Sequence, residues 1–503
     1  MKLYIIKIGL LIVASFSLIS CKDFLEVNDN PNAPTNDNLS LSVKLSAALN
    51  SSANYEATQL NQIGGFWGGY WGTAGEAASS FSTLKNYNGP GIRDTRDGIP
   101  VWETTYTNLF YYKQILEQAD LEASLFYEGI AKVMTAYHYF ILVDFYNNVP
   151  FEQALQGSLY LQPVYEPGRD VYQKSMDLIT EGIAEIKSAS NAPGADDVLF
   201  RGDRTKWAQF GNTLKLRALL RQSQVSDQSG YITQEVAKIV QEGSGFLLDN
   251  AMVNPGYLNT AGRMNPFFET YYRNNAGVAV ANYGNIRPTR YLLAKYAEYN
   301  DPRLGQNFVT VNNAYQGVVF GDNTVSPEFA SANTSAMKGP VENGATPAGV
   351  LKSFNQGSMV ISSAEAYFLQ AEAAERGWIS ANSTTLYNSA IQSSFNYQFN
   401  VNNYNIATYI AQPSVNIDVA PNKIERIITQ KWLALSGLNN IQAWHDHKRL
   451  GIPAFPASVT SPTPGAYPRR FMYPETELNS NNQNASSQGD VGVLTGRVWW
   501  DVR

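Results

Sequence analysis

The chain has 503 residues, 44% of them hydrophobic and only 16% charged, with a formal charge of −6. That balance, with no Lys/Arg cluster anywhere along it, argues against nucleic acid as a partner. A single cysteine excludes an intramolecular disulfide framework, so the fold must rest on packing, to which 30 Tyr, 23 Phe and 9 Trp bring much of the apolar area.

Lys2 and Lys7 form a short basic start, and the apolar run from Ile8 to Ile19 is interrupted only by Gly9, Ala14, Ser15 and Ser17. The run falls short of the ~20 apolar residues a bilayer-spanning helix needs, so residues 1–20 read as a removable secretion signal. It ends in Leu18-Ile19-Ser20-Cys21, which resembles the lipobox of bacterial lipoproteins, where the cysteine thiol receives a diacylglyceryl group. Cys21 is therefore the expected lipidation site, and acyl chains contribute roughly 0.8 kcal/mol per buried CH₂ to membrane attachment. Loss of Lys2 and Lys7 with the signal makes the mature chain more acidic still. Residues 21–40 carry Asn28-Asp29-Asn30-Pro31-Asn32-Ala33-Pro34, too rich in Asn and Pro for a helix, and read as an extended tether. Asp29, Asn30 and Asn32 could offer oxygens to calcium, but their spacing is not that of an EF-hand loop. A turn is expected there, with no metal.

Gly64-Gly65-Phe66-Trp67-Gly68-Gly69-Tyr70-Trp71-Gly72 is too glycine-dense to favour a helix. It reads as a ligand-contacting loop, because a flat indole suits the C–H face of a sugar ring. Trp67 and Trp71 lead the candidates, followed by Tyr70 and Phe66. The alternative, that these aromatics pack the loop onto helices, stands beside it.

Helical periodicity then dominates. Ile130, Val133, Met134, Tyr137, His138, Ile141, Leu142 and Phe145 form one apolar stripe; Tyr172, Met176, Ile179, Ile183 and Ile186 form a second; Trp207, Phe210, Leu214 and Ala218 form a third. His138 on its stripe reads as a hydrogen-bonded core residue. Asp203, within Arg201-Gly202-Asp203, reads as the N-cap of a helix beginning at Arg204. Residues 245–360 are rich in Gly, Asn and Pro and poor in periodicity. A structureless loop of that length is uncommon inside a domain, so a loop-rich subdomain is expected, with short strands best placed at Val309–Val311 and Gly317–Phe320. Within it, Tyr271-Tyr272-Arg273-Asn274 combines adjacent rings with fixed donors and forms a second ligand-binding candidate. A solvated loop or a partner contact is the alternative there.

Helices come in pairs: Val101 to Asp120 with Ile130 to Phe145, Asp170 to Ile186 with Asp203 to Arg221, and Glu365 to Gly377 with Leu386 to Phe399. Small residues on the first member of the last pair let its partner approach, as in tetratricopeptide repeats of ~34 residues. Glu372 and Arg376 at i,i+4 read as a surface pair, and Glu365 and Glu375 as a solvated face. Ile424, Ile427, Ile428, Lys431, Trp432 and Leu435 make the most regular stripe, along which the stem of Lys431 can lie. His445 and His447 lie two apart and so diverge, which argues against a zinc site. Asn479 to Gly489 reads as a surface loop before the chain closes on Trp499-Trp500-Asp501. The fold class is mainly α: a tetratricopeptide-like helical-pair scaffold with a loop-rich subdomain carrying short strands, residues 41–503 forming one domain. No catalytic constellation, cofactor or metal is expected.

Several segments resemble the SusD/RagB nutrient-binding outer-membrane lipoproteins of Bacteroidetes, in the SusD-like branch. They are Cys21-Lys22-Asp23-Phe24-Leu25, Val143-Asp144-Phe145-Tyr146-Asn147-Asn148-Val149-Pro150-Phe151, Gly202-Asp203-Arg204-Thr205-Lys206-Trp207, Asn300-Asp301-Pro302-Arg303-Leu304, Ala364-Glu365-Ala366-Tyr367-Phe368-Leu369-Gln370-Ala371-Glu372-Ala373, Gln430-Lys431-Trp432-Leu433-Ala434-Leu435 and Trp499-Trp500-Asp501. Their number and order carry the match. The resemblance implies a lipid-anchored protein at the outer membrane, facing the cell exterior. It would capture an oligosaccharide, or in some members a peptide, and deliver it to a SusC-like TonB-dependent transporter. Lys22-Asp23 resembles the phylum's export signal for lipoproteins, although Phe24 interrupts its acidic run. A surface hydrolase and a purely structural partner of the transporter are the alternatives from other classes.

Overall fold

Residues 39–489 and 491–503 are described in the computed structural model. The signal segment, Cys21 and most of the tether, including Asp29, Asn30 and Asn32, lie outside the described residues. Helix α1 (Leu41–Tyr55) starts where the Asn/Pro-rich stretch gives way to Leu41, Leu45, Ala48 and Leu49, all buried. It runs through a π-helical turn, Glu56–Leu60, directly into α2 (Asn61–Trp67).

The paired helices follow. α3 (Val101–Leu121) and α4 (Leu125–Tyr146) pack together, and α5 (Gly168–Ser188) packs against the other side of α4 and contacts α6 (Arg204–Arg221). The expected α4 stripe is buried apart from half-buried Ile141, but Tyr139, Phe140 and Val143 on its other side are buried too. A helix flanked on both sides has no wet face, so its apolar residues run nearly all the way round. Asp203 caps α6, its Oδ1 accepting from Lys206 N at 3.0 Å. A further helix, α7 (Ser229–Glu242), lies against α6.

The second group is α9 (Ser363–Glu375) with α10 (Ser383–Phe399), then α11 (Lys423–Leu435) and α12 (Ile441–Leu450); α8 (Arg290–Glu298) precedes them within the loop-rich part. Ala366, Ala371 and Ala373 are fully buried, and α10 and α11 both pack on α9. Two sequence readings fail here. Glu372 and Glu365 are both wholly buried, Glu372 being held by Arg449 (Nη2 to Oε2 2.8 Å) as well as by Arg376, and Glu365 by Arg217 at 2.9 Å. Lys431 buries its head as well as its stem, with Nζ 2.9 Å from Asp446. Helical spacing alone cannot reveal that a third helix brings the counter-charges. A buried ion is tolerated only when paired.

Strands differ from expectation as well. β1 (Trp71–Thr73) pairs antiparallel with β3 (Ile286–Pro288), with Trp71 opposite Pro288, and β2 (Ala251–Val253) pairs antiparallel with β4 (Ser358–Ile361). Val309–Val311 and Gly317–Phe320 contribute only isolated bridges, such as Val311 with Ala314 and Thr289 with Val318. Residues 475–486 form two short helices, Glu475–Ser480 and Asn482–Ser486, the second of them inside the stretch from Asn479 to Gly489 where a surface loop was expected. One hydrophobic cluster runs from Leu41 to Trp500 and takes in Phe267, Ile286 and Leu351 of the loop-rich part.

Candidate functional site

The glycine-framed aromatics are interior residues. Gly64, Gly65, Phe66 and Trp67 lie on α2, not on a loop, and Trp67, Trp71, Tyr70 and Phe66 are exposed by 1%, 2%, 0% and 0%. The glycines serve close packing: a Cβ on Gly64 would stand 2.1 Å from Ile441 N, and one on Gly65 would stand 2.2 Å from the Trp71 ring. α2 thereby lies against the start of α12 at backbone distance. The polar edges of the aromatics are satisfied inside. Trp67 Nε1 donates to Leu84 O at 3.0 Å, and Tyr70 Oη donates to Trp432 O at 2.7 Å while stacking on that indole at 4.8 Å between centroids. Burial pushes the Tyr70 phenol well above its ordinary range. The ligand-loop reading is thus corrected to a packing hub, because four large rings beside glycines can fill a core as readily as they can face a solute.

The second candidate fares similarly. Tyr271 and Tyr272 are fully buried, and the Tyr271 ring lies 5.2 Å from that of Trp71, so the two segments converge within the core. Tyr271 Oη donates to Thr58 O at 2.7 Å and Tyr272 Oη donates to Glu342 Oε2 at 2.6 Å. Arg273, half-buried, joins the same carboxylate at 3.1 Å. Asn274 Oδ1 accepts from Ala276 N and Val278 N, closing the turn of a small bridge between Arg273 and Ala279. These four residues hold a turn to the body.

Each histidine is enclosed. His138 Nε2 lies 2.9 Å from Ser52 Oγ, and burial lowers its pKa to about 3. His447 Nδ1 lies 3.0 Å from Pro453 O, and burial lowers it to about 4. His445 is lowered too, by burial and then by the nearby Arg221 and Lys448 charges. All three are neutral at pH 7. Among the described residues, no cluster of three or more His, Cys, Asp or Glu side chains is placed to hold a metal.

A large open space lies elsewhere, a cleft of about 1130 Å³ between α10 and the loops that lead into β2 and β4. That is above the usual range for a drug-sized ligand. One wall is the outer face of α10, where Thr385, Asn388, Ser389, Gln392, Ser393, Asn396 and Asn400 recur at three- and four-residue spacing. Asn382 starts this helix by accepting from Thr385 N at 2.8 Å, and Asn400, at φ 54°, ends it. Gln392 and Asn396 are engaged in pinning the following loop, through Tyr404 O at 2.8 Å and Asn402 O at 2.8 Å. Tyr367 of α9 joins the same wall one turn beyond Ser363, whose hydroxyl meets that of Ser393.

Lys352 lies at one end. Its ammonium donates to Tyr397 O at 2.5 Å and sits 4.5 Å from the centre of the Tyr397 ring, at the C-terminus of α10 where helix carbonyls favour a cation. Burial lowers its pKa to about 8. Asp249 at the rim is mostly exposed and faces Lys206 at 3.3 Å. Among the described residues these are the cleft's only charged side chains. Sequence reasoning missed this wall, although a signal existed: α10 has 17 residues and none is Asp, Glu, Lys or Arg. A wet helix face normally carries charge.

The comparisons with known proteins agree with this architecture. A chitin-binding SusD homologue from Flavobacterium johnsoniae matches with a TM-score of 0.74 at 22% identity, over 91% of this chain and 99% of that one. A SusD homologue from Bacteroides fragilis gives 0.73 at 20%, over 92% and 99%, and one from Bacteroides thetaiotaomicron gives 0.72 at 20%, over 93% and 100%. At such identities the likeness establishes a shared fold. No curated protein matches the chain. No helix among the described residues is long and apolar enough to cross a membrane. The profile of a SusD-like family described as "Starch-binding associating with outer membrane" matches residues 39–474, and the chain belongs to that family.

Proposed function

We propose that this protein captures an oligosaccharide at the cell exterior, anchored through lipid on Cys21, and delivers it unaltered to a SusC-like TonB-dependent transporter. The observation that carries the binding half is the cleft along α10: large, open, lined mainly by amides and hydroxyls, with tyrosines at Tyr367 and Tyr397. It lies on a chain whose family is described as starch-binding, and one similar structure is described as chitin-binding. A sugar hydroxyl both donates and accepts, as do the hydroxyl and amide side chains of this wall. Reversible capture fits the enclosed histidines. Neutral and buried, they are poorly placed as general acids or bases for an external substrate. Hand-over favours modest affinity, since ordering a flexible glycan offsets much of the gain from each contact.

The test combines two measurements. Purified mature protein is titrated with a panel of starch-like, chitin-like and other oligosaccharides alongside short peptides, and the membrane-extracted protein is examined for a bound transporter and for lipid on Cys21. Glycan binding without product release, together with transporter and lipid, is expected. Peptide binding without glycan binding would overturn the cargo assignment, and a chain lacking lipid at Cys21 would overturn the anchor.

A further inference from the structure

We propose that the α10 cleft takes an extended, uncharged oligosaccharide lying along the helix, with one sugar ring against Tyr367. This rests on the glycan-capture reading above and adds the charge class, the length and the place. The charge class follows from the scarcity of charge in the cleft, whose lining among the described residues holds one cation and one anion. Both charged residues of the cleft are already engaged, Lys352 with the Tyr397 carbonyl at 2.5 Å and with Asn400 Oδ1 at 3.5 Å, and Asp249 with Lys206 at 3.3 Å. An oligomer with a carboxylate on every ring would meet a single cation, half-buried Lys352 at one end of the wall, and would leave its remaining carboxylates without a partner, a costly exchange. A neutral sugar loses only hydroxyl hydration, which the wall replaces.

Availability of partners defines the place. Asn388, Ser389 and Tyr367 line the cleft, and none of the three makes a side-chain hydrogen bond within the described residues. Each is only half-buried. Asn388 and Ser389 sit on consecutive positions of one turn, and Tyr367 faces the cleft from the paired helix α9. Gln392 and Asn396, fixed on the next turn by the loop they pin, hold the wall rigid. The wall from Thr385 to Asn400 spans about 22 Å at the helical rise of 1.5 Å per residue. That length accommodates several sugar units in a row, so affinity should grow with chain length until the wall is covered. A peptide would look instead for an unpaired strand edge or an apolar groove, and a helix face offers no free backbone donors.

Calorimetric titration of the mature protein decides the matter, using neutral chito- and malto-oligosaccharides of increasing length beside uronic-acid oligomers of matched length. Variants are Tyr367→Ala, the double variant Asn388→Ala/Ser389→Ala, and Asn388→Asp, each checked for an unchanged unfolding midpoint. Affinity for a neutral series should rise with length, uronic oligomers should bind more weakly, and each cleft variant should weaken binding by about tenfold, the size of one or two lost hydrogen bonds or a lost stacking contact. Neutral binding untouched by all three variants would overturn the placement while leaving glycan capture intact. Uronic oligomers binding more tightly than neutral ones would overturn the charge class. Absence of binding to every glycan would overturn this proposal together with the reading it rests on.

Discussion

Replacing Trp67 by alanine separates a packing indole from a ligand-stacking one. The ring is 1% exposed and meets Trp444 and Phe471 edge-on at 5.0 and 5.2 Å, with its Nε1 donating to Leu84 O. Removing a buried indole costs about 3–5 kcal/mol through lost transfer energy and the cavity left behind. Leaving the Leu84 carbonyl unpaired adds about 1 kcal/mol or more. The sum is a large part of a typical folding free energy of about 5–15 kcal/mol. Chemical denaturation followed by circular dichroism should therefore show a markedly lowered midpoint for Trp67→Ala. Trp67→Phe, which keeps most of the ring and loses the hydrogen bond, should fall between. Glycan affinity per folded molecule should match wild type in both. A Trp67→Ala protein that unfolds at the wild-type midpoint yet no longer binds glycan would refute the reasoning and restore the indole as a contact residue.

Two further outcomes follow from the interior charges. The buried Asp144 carboxylate accepts from Trp500 Nε1 at 2.8 Å and from Tyr172 Oη, and faces Arg221 Nε at 3.3 Å, so Asp144→Asn should cost about 3–5 kcal/mol by leaving Arg221 short of its counter-charge; an unchanged unfolding midpoint would count against a paired site. Stability should fall on acidification below pH 6.5, in part because His138, lowered to about 3 by burial, binds fewer protons folded than unfolded between those values. His138→Gln, which cannot titrate, should accordingly lose less stability than wild type between about pH 7 and pH 4, and parallel pH profiles of the two proteins would show the histidine is not the cause.

Much of the scaffold was legible because a helix repeats its environment every turn. The stripes at Ile130–Phe145, Tyr172–Ile186 and Ile424–Leu435 are each explained by a neighbour packed along them, and Asp203 announces its helix by a local bond to Lys206 N. Family membership was legible for a related reason: Asp144, Arg303, Lys431 and Trp500 occur in short motifs whose side chains are buried and paired, so their identities are narrowly constrained. The candidate site was not legible. The same Gly64–Gly72 string suits a ligand loop or a core hub, and the choice depends on α12 lying against Gly64 and on Trp432 stacking under Tyr70, contacts made across more than 350 residues.

Composition and periodicity alone determined that this chain would be mainly helical, built in pairs, and free of disulfides, because those properties depend on residue type and local spacing. Tertiary structure decided which polar residues face water. It enclosed Glu365, Glu372 and Lys431, whose partners arrive from other helices, and left the uncharged face of α10 open beside the loops of residues 248–252 and 347–357. Burial is a property of what lies opposite a residue, and the sequence does not record what lies opposite.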